Sequence, residues 1–323
     1  MQNIAILCSG GDVSGMNPAL KRFVEYSKAK GLTPYFVNNG FEGLIDNKIY
    51  KADYSDVTGI ISRGGTKIRS ARSARFMEQK YRQLALDNLK SHDITSLVVL
   101  GGDGSFKGMK LLNDESEGIS FSGIPSTIDN DIAGTEYCLG VDTALNVIRC
   151  AIDSIRDTAS SFSRAFVVEV MGRECGYLAL VSALTSGEEM CLIPEIPYEL
   201  DNYKACFKKQ MNEGREYYIA VVSESLKNSE EIGKWFEDEI GVESRITVLG
   251  HIQRGGNPTV YDRLMAFNFI THAIDGLLEG KKCSVVCYSK GGFNHKKIDD
   301  VAFKEYHINE NMLKLGSEFG QNR

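Results

Sequence analysis

Two glycine-rich segments, each directly behind a short apolar run, carry the first chemical signal in this sequence. Ile4 to Leu7 leads into CSGGDVSGMN (8–17), where Asn17 and Pro18 make a suitable N-cap and first-turn pair for a helix. Glycine lets main-chain N–H groups approach a phosphate without a Cβ in the way, and a helix N-terminus adds its dipole to the attraction. The second segment, VVLGGDGS (98–105), sets Asp103 between a strand-like run and a helical one. A carboxylate among glycines repels phosphate unless a cation lies between them, so Asp103 points to Mg2+ carried with a nucleotide. A helix-capping aspartate is the alternative. The chain contains neither GxGxxG nor GxxxxGK[ST].

A basic stretch and an acidic one follow. SRGGTKIRSARSAR (62–75) holds Arg63, Lys67, Arg69, Arg72 and Arg75 and no acid, with Gly64 and Gly65 embedded. Its charge opposes that of the rest of the chain, which favours an anion site over a solvated loop. In PSTIDNDIAGT (125–135), Asp129 and Asp131 would point to opposite sides if the segment is extended, and an Asx-turn pair is the alternative. Phosphoryl transfer asks a protein to position groups, neutralise charge and supply a carboxylate that accepts the attacking hydroxyl's proton. Either aspartate suits that last role. Beyond them, VVEVMGRECG ends on Gly172 and Arg173, VVSES on Glu224, and RITVLGHIQRGG carries Arg245, His251 and Arg254. Arg, Glu and His at several strand ends describe a pocket for a polar, phosphorylated ligand. His251 reads as a hydrogen-bond donor rather than a base.

The elements that must position these groups alternate along the chain. Apolar runs expected as strands are 4–7, 35–37, 96–100, 119–123, 165–170, 218–222, 246–249 and 283–287. Helical periodicity falls at 18–30, 76–90, 104–113, 140–156, 175–186, 200–213, 228–240 and 259–278. Buried strands alternating with helices predict an α/β protein: two doubly wound α/β domains with mainly parallel sheets and the active site in the cleft between them. Domain crossings are expected at 134–140 and near Gly255 and Gly256. Residues 1–140 would form one domain, rejoined at about 255–300, and 141–254 the other, with a C-terminal helix at 304–323 packing on the latter.

Composition narrows the class. With 323 residues, 42% hydrophobic and 25% charged, and no long uncharged apolar window, disordered, fibrous and membrane-spanning classes are excluded. The net charge of -6 argues against a nucleic-acid or anionic-membrane partner. The segment MQNIAILCSGGD has no basic n-region, so a cytoplasmic location is expected. The 8 cysteines form no CxxC pair and no zinc spacing, and read as reduced, mostly buried thiols.

Taken in order, CSGGDVSGMN, RGGTKIRSAR, GGDGS, PSTIDND, VVEVMGRECGYLAL and VLGHIQRGGNPTVYDR resemble the ATP-dependent 6-phosphofructokinases of bacterial type, over roughly residues 1–290. The resemblance implies transfer of the ATP γ-phosphoryl group to the 1-hydroxyl of fructose 6-phosphate by a Mg2+-dependent, cytoplasmic homotetramer of glycolysis. It assigns Gly11, Arg72, Ser73 and the run Gly102, Asp103, Gly104 and Ser105 to ATP, with Asp103 on the metal. Asp129 becomes the catalytic base, Thr127 its neighbour at the transferring phosphoryl group and Arg173 the transition-state cation. Ile128, Met171, Gly172, Glu224, His251, Ile252, Gln253 and Arg254 join Thr127, Asp129 and Arg173 around the sugar phosphate. Arg164 and Arg245 would reach the 6-phosphate from an adjacent subunit.

Three departures stand out against the same resemblance. Met77 to Lys80 occupies the region of the family's second ATP-contacting arginine. Ser126 replaces the usual glycine, although neither the aspartate at 104 nor the lysine at 126 of the pyrophosphate-dependent branch is present. The family's effector positions fall on Lys21, Glu25, Tyr54, Arg156, Glu213 and Arg215, with Glu189 retained; losing cations at three of them implies weak regulation by ADP or phosphoenolpyruvate. A dehydrogenase lacks its fingerprint here, and a non-catalytic sensor would have lost Asp103, Asp129 or Arg173.

Overall fold

The computed structural model describes residues 2–319. The chain divides into two compact units, the first running to Thr143 and resuming over Arg254–Tyr306, the second comprising Ala144–Gln253 and resuming at His307. The crossings thus fall a few residues from the two glycine clusters that mark them in the sequence.

In the first unit, β1 (Asn3–Ser9), α1 (Met16–Ala29), β2 (Thr33–Val37), α2 (Gly40–Ile45), β3 (Ile49–Lys51), β4 (Ser70–Ala71), α3 (Gln79–Ser91), β5 (Ile94–Gly101), α4 (Asp103–Asp114) and β6 (Ser120–Pro125) follow one another. Helix α5 (Val141–Phe162) starts in this unit and continues into the second. There β7 (Ala165–Val170), α6 (Tyr177–Ser186), β8 (Met190–Leu192), α7 (Leu200–Asn212), β9 (Tyr218–Ser223), α8 (Ser229–Trp235) and β10 (Ser244–Val248) follow. The chain then returns for α9 (Val260–Leu278), β11 (Cys283–Ser289) and β12 (Gly292–Lys297), and closes in the second unit with α10 (Glu310–Gly316).

The first sheet has the order β12-β11-β6-β5-β1-β2-β3, with β4 also on β1. Only the edge pairs β2–β3 and β11–β12 are antiparallel. Its inner strands are buried on both faces, β1 from Ile4 to Ser9 and β5 from Ser96 to Gly101, which is why they read as unbroken apolar runs. Strand order reverses between β1 and β5, and the crevice beyond the carboxyl ends at such a reversal is where doubly wound sheets bind ligands. Both glycine segments leave from those two strand ends. The second sheet, β10-β7-β9-β8, is wholly parallel.

Several expectations change. Strands β3, β4, β8 and β12 and helix α2 lie outside the expected runs, being short or, in β12 (GFNHKK), polar edge structure. The C-terminal helix is confined to Glu310–Gly316, with Asn309 accepting from the Asn311 amide at 2.9 Å; residues 320–323 of the expected helix lie outside the described residues. A Cβ at Gly316 would come within 2.7 Å of Ile196 and Leu180, so α10 lies against α6. Asn17 does not cap α1, which begins at Met16 behind Gly15. Buried instead, its amide donates to the Arg63 and Gly64 carbonyls at 3.1 and 3.0 Å and its oxygen accepts from the Lys67 amide at 2.7 Å. Asn17 therefore ties the basic loop to the end of the first glycine segment. Among the described residues no cysteines are joined in a disulfide, and burial pushes Cys8 up to about 12.

Candidate active site

In the first unit the site grows from the ends of β1, β5 and β6. Asp103 occupies the first turn of α4 and the N-cap position is Gly102, so Asp103 is not the N-cap residue. Its carboxylate lies 2.5 Å from Lys107 one turn on. A Cβ at Gly102 would sit 3.7 Å from the Thr127 side chain, so the α4 terminus and the loop after β6 are neighbours. Ser105 is buried, while Gly104 borders open space.

The loop after β6 is a turn, so the condition under which Asp129 and Asp131 would lie on opposite sides of an extended segment is not met. Residues 128 and 129 form a turn, Asn130 adopts the left-handed region at φ 52°, and the Asp129 amide donates to Thr127 Oγ1 at 3.2 Å. Asp129 is 1% exposed and Asp131 half-buried. Ile128 is also 1% exposed, so its side chain belongs to the core and only its backbone can face a substrate. The Ser126 hydroxyl turns inward to the Ile124 carbonyl at 3.2 Å.

Around the first glycine segment, Arg254 lies across Gly11. A Cβ there would be 2.3 Å from Nη1, and that nitrogen donates to the Asp12 carbonyl at 3.4 Å. The residue expected at the sugar phosphate is thus held beside an ATP-loop glycine. Arg72 is exposed, whereas Ser73 and Arg75 both donate to Glu42 on α2, Arg75 through Nε at 2.9 Å. Arg75, then Ser73, hold the Glu42 carboxyl below its usual range. Phe41 and Phe76 stack at 4.1 Å beneath this clamp. Arg82, the next arginine along, donates to the Phe76 and Met77 carbonyls and Glu115, bracing the loop from behind. Sequence reasoning missed Glu42, and no local signal marks it, because its partners lie more than thirty residues away.

In the second unit, taken by itself, the ends of β7, β9 and β10 carry the other residues singled out in the sequence. Gly172 takes φ 146°, and a Cβ there would meet the Cys175 carbonyl at 2.3 Å. Arg173 follows at φ 51°, exposed. Glu224 Oε1 accepts from the Gly172 and Arg173 amides at 3.2 and 2.9 Å, and buried Gln253 accepts from the Met171 amide at 3.1 Å. Glu224 and Gln253 thus shape the turn that presents Arg173, while His251 and Ile252 lie exposed next to Gln253. Pairing of β7 with β10 brings Arg164 and Arg245 to one carboxylate, Glu243, a second residue that sequence reasoning missed.

The effector-position cations are all engaged. Lys21 pairs with Glu25 at 2.5 Å, Arg156 with buried Glu188 at 2.5 Å, and Arg215 with Glu189. A cavity of about 530 Å3 lined by Lys110, Lys282, Cys283 and Lys297 lies where β11 begins, at the opposite end of the sheet from Asp103. It takes no part in this site.

A carboxylate in the first turn of a helix at the switch-point crevice, with a buried aspartate on the adjoining loop, is the arrangement of an α/β phosphotransferase. The family model for phosphofructokinase matches residues 3–277. Along its length the chain is 73% identical over 319 residues to an ATP-dependent 6-phosphofructokinase of Sulfurovum sp., covering 99% of this chain and 98% of that one. Against the ATP-dependent 6-phosphofructokinase of Bacillus pumilus it is 43% identical, covering 98% and 99%. Among solved structures, phosphofructokinase from Saccharomyces cerevisiae superposes with a TM-score of 0.86 at 32% identity over 98% of this chain; the chain spans 46% of that longer one. A pyrophosphate-dependent phosphofructokinase from Marinobacter aquaeolei shares the fold, with a TM-score of 0.84 at 19% identity over 96% of this chain and 86% of that one. The chain belongs to the phosphofructokinase family.

Proposed function

We infer that this chain is an ATP-dependent 6-phosphofructokinase, moving the γ-phosphoryl group of ATP to the 1-hydroxyl of D-fructose 6-phosphate and releasing ADP and fructose 1,6-bisphosphate. The observation that carries the reading is Asp103 in the first turn of α4, beside Thr127 and the turn that holds Asp129. One carboxylate and the substrate's own phosphates are a usual donor set for Mg2+, and the glycines flanking Asp103 leave room for it. The ion would neutralise phosphate charge as the bond to the leaving oxygen breaks. Gly11, Arg72, Ser73 and residues 102–105 bind the nucleotide. Asp129 accepts the proton of the attacking 1-hydroxyl while Thr127 contacts the transferring group. Arg173 stabilises its developing charge from a turn that Glu224 and Gln253 hold. The sugar phosphate is taken by Met171, Gly172, His251 and Arg254, with Arg164 and Arg245 contributed from an adjacent subunit.

The donor reading rests on Gly104 and Ser126. Space is open at Gly104, and Ser126 spends its hydroxyl on the backbone, so no cation at 126 grips pyrophosphate. For assembly we read a homotetramer, with Val260 (83% exposed) and Leu264 on α9, and Ile246 and Val248 on the edge strand β10, as apolar surface for second copies. Arg164 and Arg245 would then complete a neighbour's site. No helix among the described residues is long and apolar enough to cross a membrane. The cytoplasmic location is our reading from the family resemblance.

A coupled assay with fructose 6-phosphate, comparing ATP with pyrophosphate, tests the reading. ATP should support turnover at least about 10²-fold above pyrophosphate, because only transition-state contacts made by the correct donor raise kcat/KM. Equal or higher activity with pyrophosphate would overturn it. Gly104→Asp, which the open space accommodates, should remove ATP-dependent activity first.

A further inference from the structure

One buried carboxylate outside the reacting groups gathers an unusual set of donors. Asp262, in the first turn of α9, has no exposed surface. Its Oδ1 accepts from the Tyr137 hydroxyl at 2.6 Å and the Gly140 amide at 2.7 Å; its Oδ2 accepts from the Thr143 amide and hydroxyl at 2.8 and 2.5 Å. All four donors lie within 137–143, the segment that enters α5, and among the described residues no cation pairs with this carboxylate. Thr143 Oγ1 in turn accepts from the Thr259 amide at 3.1 Å, and Thr259 Oγ1 donates to Asp142 at 2.5 Å. The starts of α5 and α9 therefore cap each other, and a negative charge at both N-termini is favoured by their dipoles.

This clamped segment touches both loops of the reaction. Gly140, at φ 99°, lies so close to Val13 that a Cβ would come within 2.5 Å of the Val13 Cβ, and Leu139 closes on Gly15 in the same way. On its other side the Cys138 amide donates to Asn130 Oδ1 at 2.8 Å, and the Asn130 amide group donates to the Glu136 carbonyl at 3.2 Å. Those two bonds hold Asn130 in its left-handed conformation, next in chain to Asp129. Leu139 also bridges to Ser126 at the start of the same loop.

We propose that Asp262 is a positioning residue for phosphoryl transfer: acting through 137–143, it sets the turn that carries Asp129 and the ATP loop at 13–15 at a fixed separation, without touching substrate. The inference rests on the reading of Asp129 as the base. A carboxylate is required because each oxygen accepts two hydrogen bonds. An amide in the same place would turn its NH2 toward two donors and push the segment away.

The test compares Asp262→Asn, Tyr137→Phe and Thr143→Ser with the wild-type enzyme by thermal unfolding and by kcat and KM for each substrate, assayed well below Tm. Asp262→Asn should lower kcat by about 10-fold or more with KM for fructose 6-phosphate within about 3-fold, and Tyr137→Phe should lower kcat by about 3-fold. Thr143→Ser, which keeps both donors, should stay close to wild type. In an Asp129→Asn background, Asp262→Asn should cost less than about 2-fold further, since both act on one step. A fall in Tm with kcat of the folded enzyme within about 2-fold of wild type would make Asp262 a stability residue and overturn the proposal. If Asp262→Asn does not fold, an undiminished kcat in Tyr137→Phe overturns it equally. An unchanged kcat in Asp129→Asn alone would instead overturn the base assignment on which it rests.

Discussion

Arg164 donates through Nε to Glu243 at 2.7 Å, and Arg245 donates to the other oxygen of the same carboxylate, so Glu243 bridges the two guanidinium groups proposed for the sugar phosphate. The two arginines hold the Glu243 carboxyl below its usual range. Both are partly exposed, which makes the pairs weak enough for a dianionic phosphate to displace.

Replacing the competing anion should therefore help substrate binding. Glu243→Gln is expected to lower KM for fructose 6-phosphate by about 2- to 5-fold, the range an exposed ion pair can supply. Arg164→Ala should raise it by about 10-fold or more through loss of a charged hydrogen bond. Steady-state saturation curves check both, and a KM that rises in Glu243→Gln would contradict competition. Mixed Arg164→Ala and Asp129→Asn protomers should recover part of the activity if neighbouring subunits share sites.

Asp129→Asn preserves shape and removes proton acceptance. The loss should appear in kcat, by about 10²-fold or more, with KM for both substrates little changed, because a general base acts in the transition state. Wild-type kcat in this variant would exclude Asp129 as the base.

Regulation should be weak. Lys21, Arg156 and Arg215 already pair with Glu25, Glu188 and Glu189, so an anionic effector would have to break existing contacts as well as make new ones. Fructose 6-phosphate saturation curves with sub-millimolar ADP or phosphoenolpyruvate should shift by less than about 2-fold, since each charged hydrogen bond lacking costs about 1.5–3 kcal/mol. A large shift in half-saturation would refute this.

The partner of Arg156 also sets a pH dependence. Burial pushes Glu188 up to about 7 from 4.5, and Arg156 only partly offsets it. The folded state thus favours the neutral acid, a contribution complete below pH 4.5 and lost as pH climbs through about 7. Glu188→Gln should cancel this loss, so that its Tm rises relative to wild type by roughly 3–8 °C between pH 5 and 8. Parallel Tm curves across that range would show that Glu188 does not titrate there.

The family and the chemistry were legible in the sequence because each essential unit is local: an apolar strand, a glycine turn, a carboxylate or arginine, then a helix. Asp103, Thr127, Arg173 and Glu224 stand at strand ends where that order puts them. Tertiary structure alone decided what holds those groups in place. Asn17 reads as a cap but spends its amide on a loop some fifty residues away. The sequence left open whether Asp129 and Asp131 sit on an extended segment or in a turn, and the fold decides it: Asn130 turns left-handed as its side chain bonds to Glu136 and Cys138. Glu42 and Glu243 stand in no motif, and Asp262 stands in VLGHIQRGGNPTVYDR without any sign there of its partners, since a carboxylate acquires its partners only when strand order and helix packing bring distant donors within 3 Å. Spacing along a chain fixes which residues leave a strand together; the hydrogen bonds that orient them depend on separations that only the folded backbone sets.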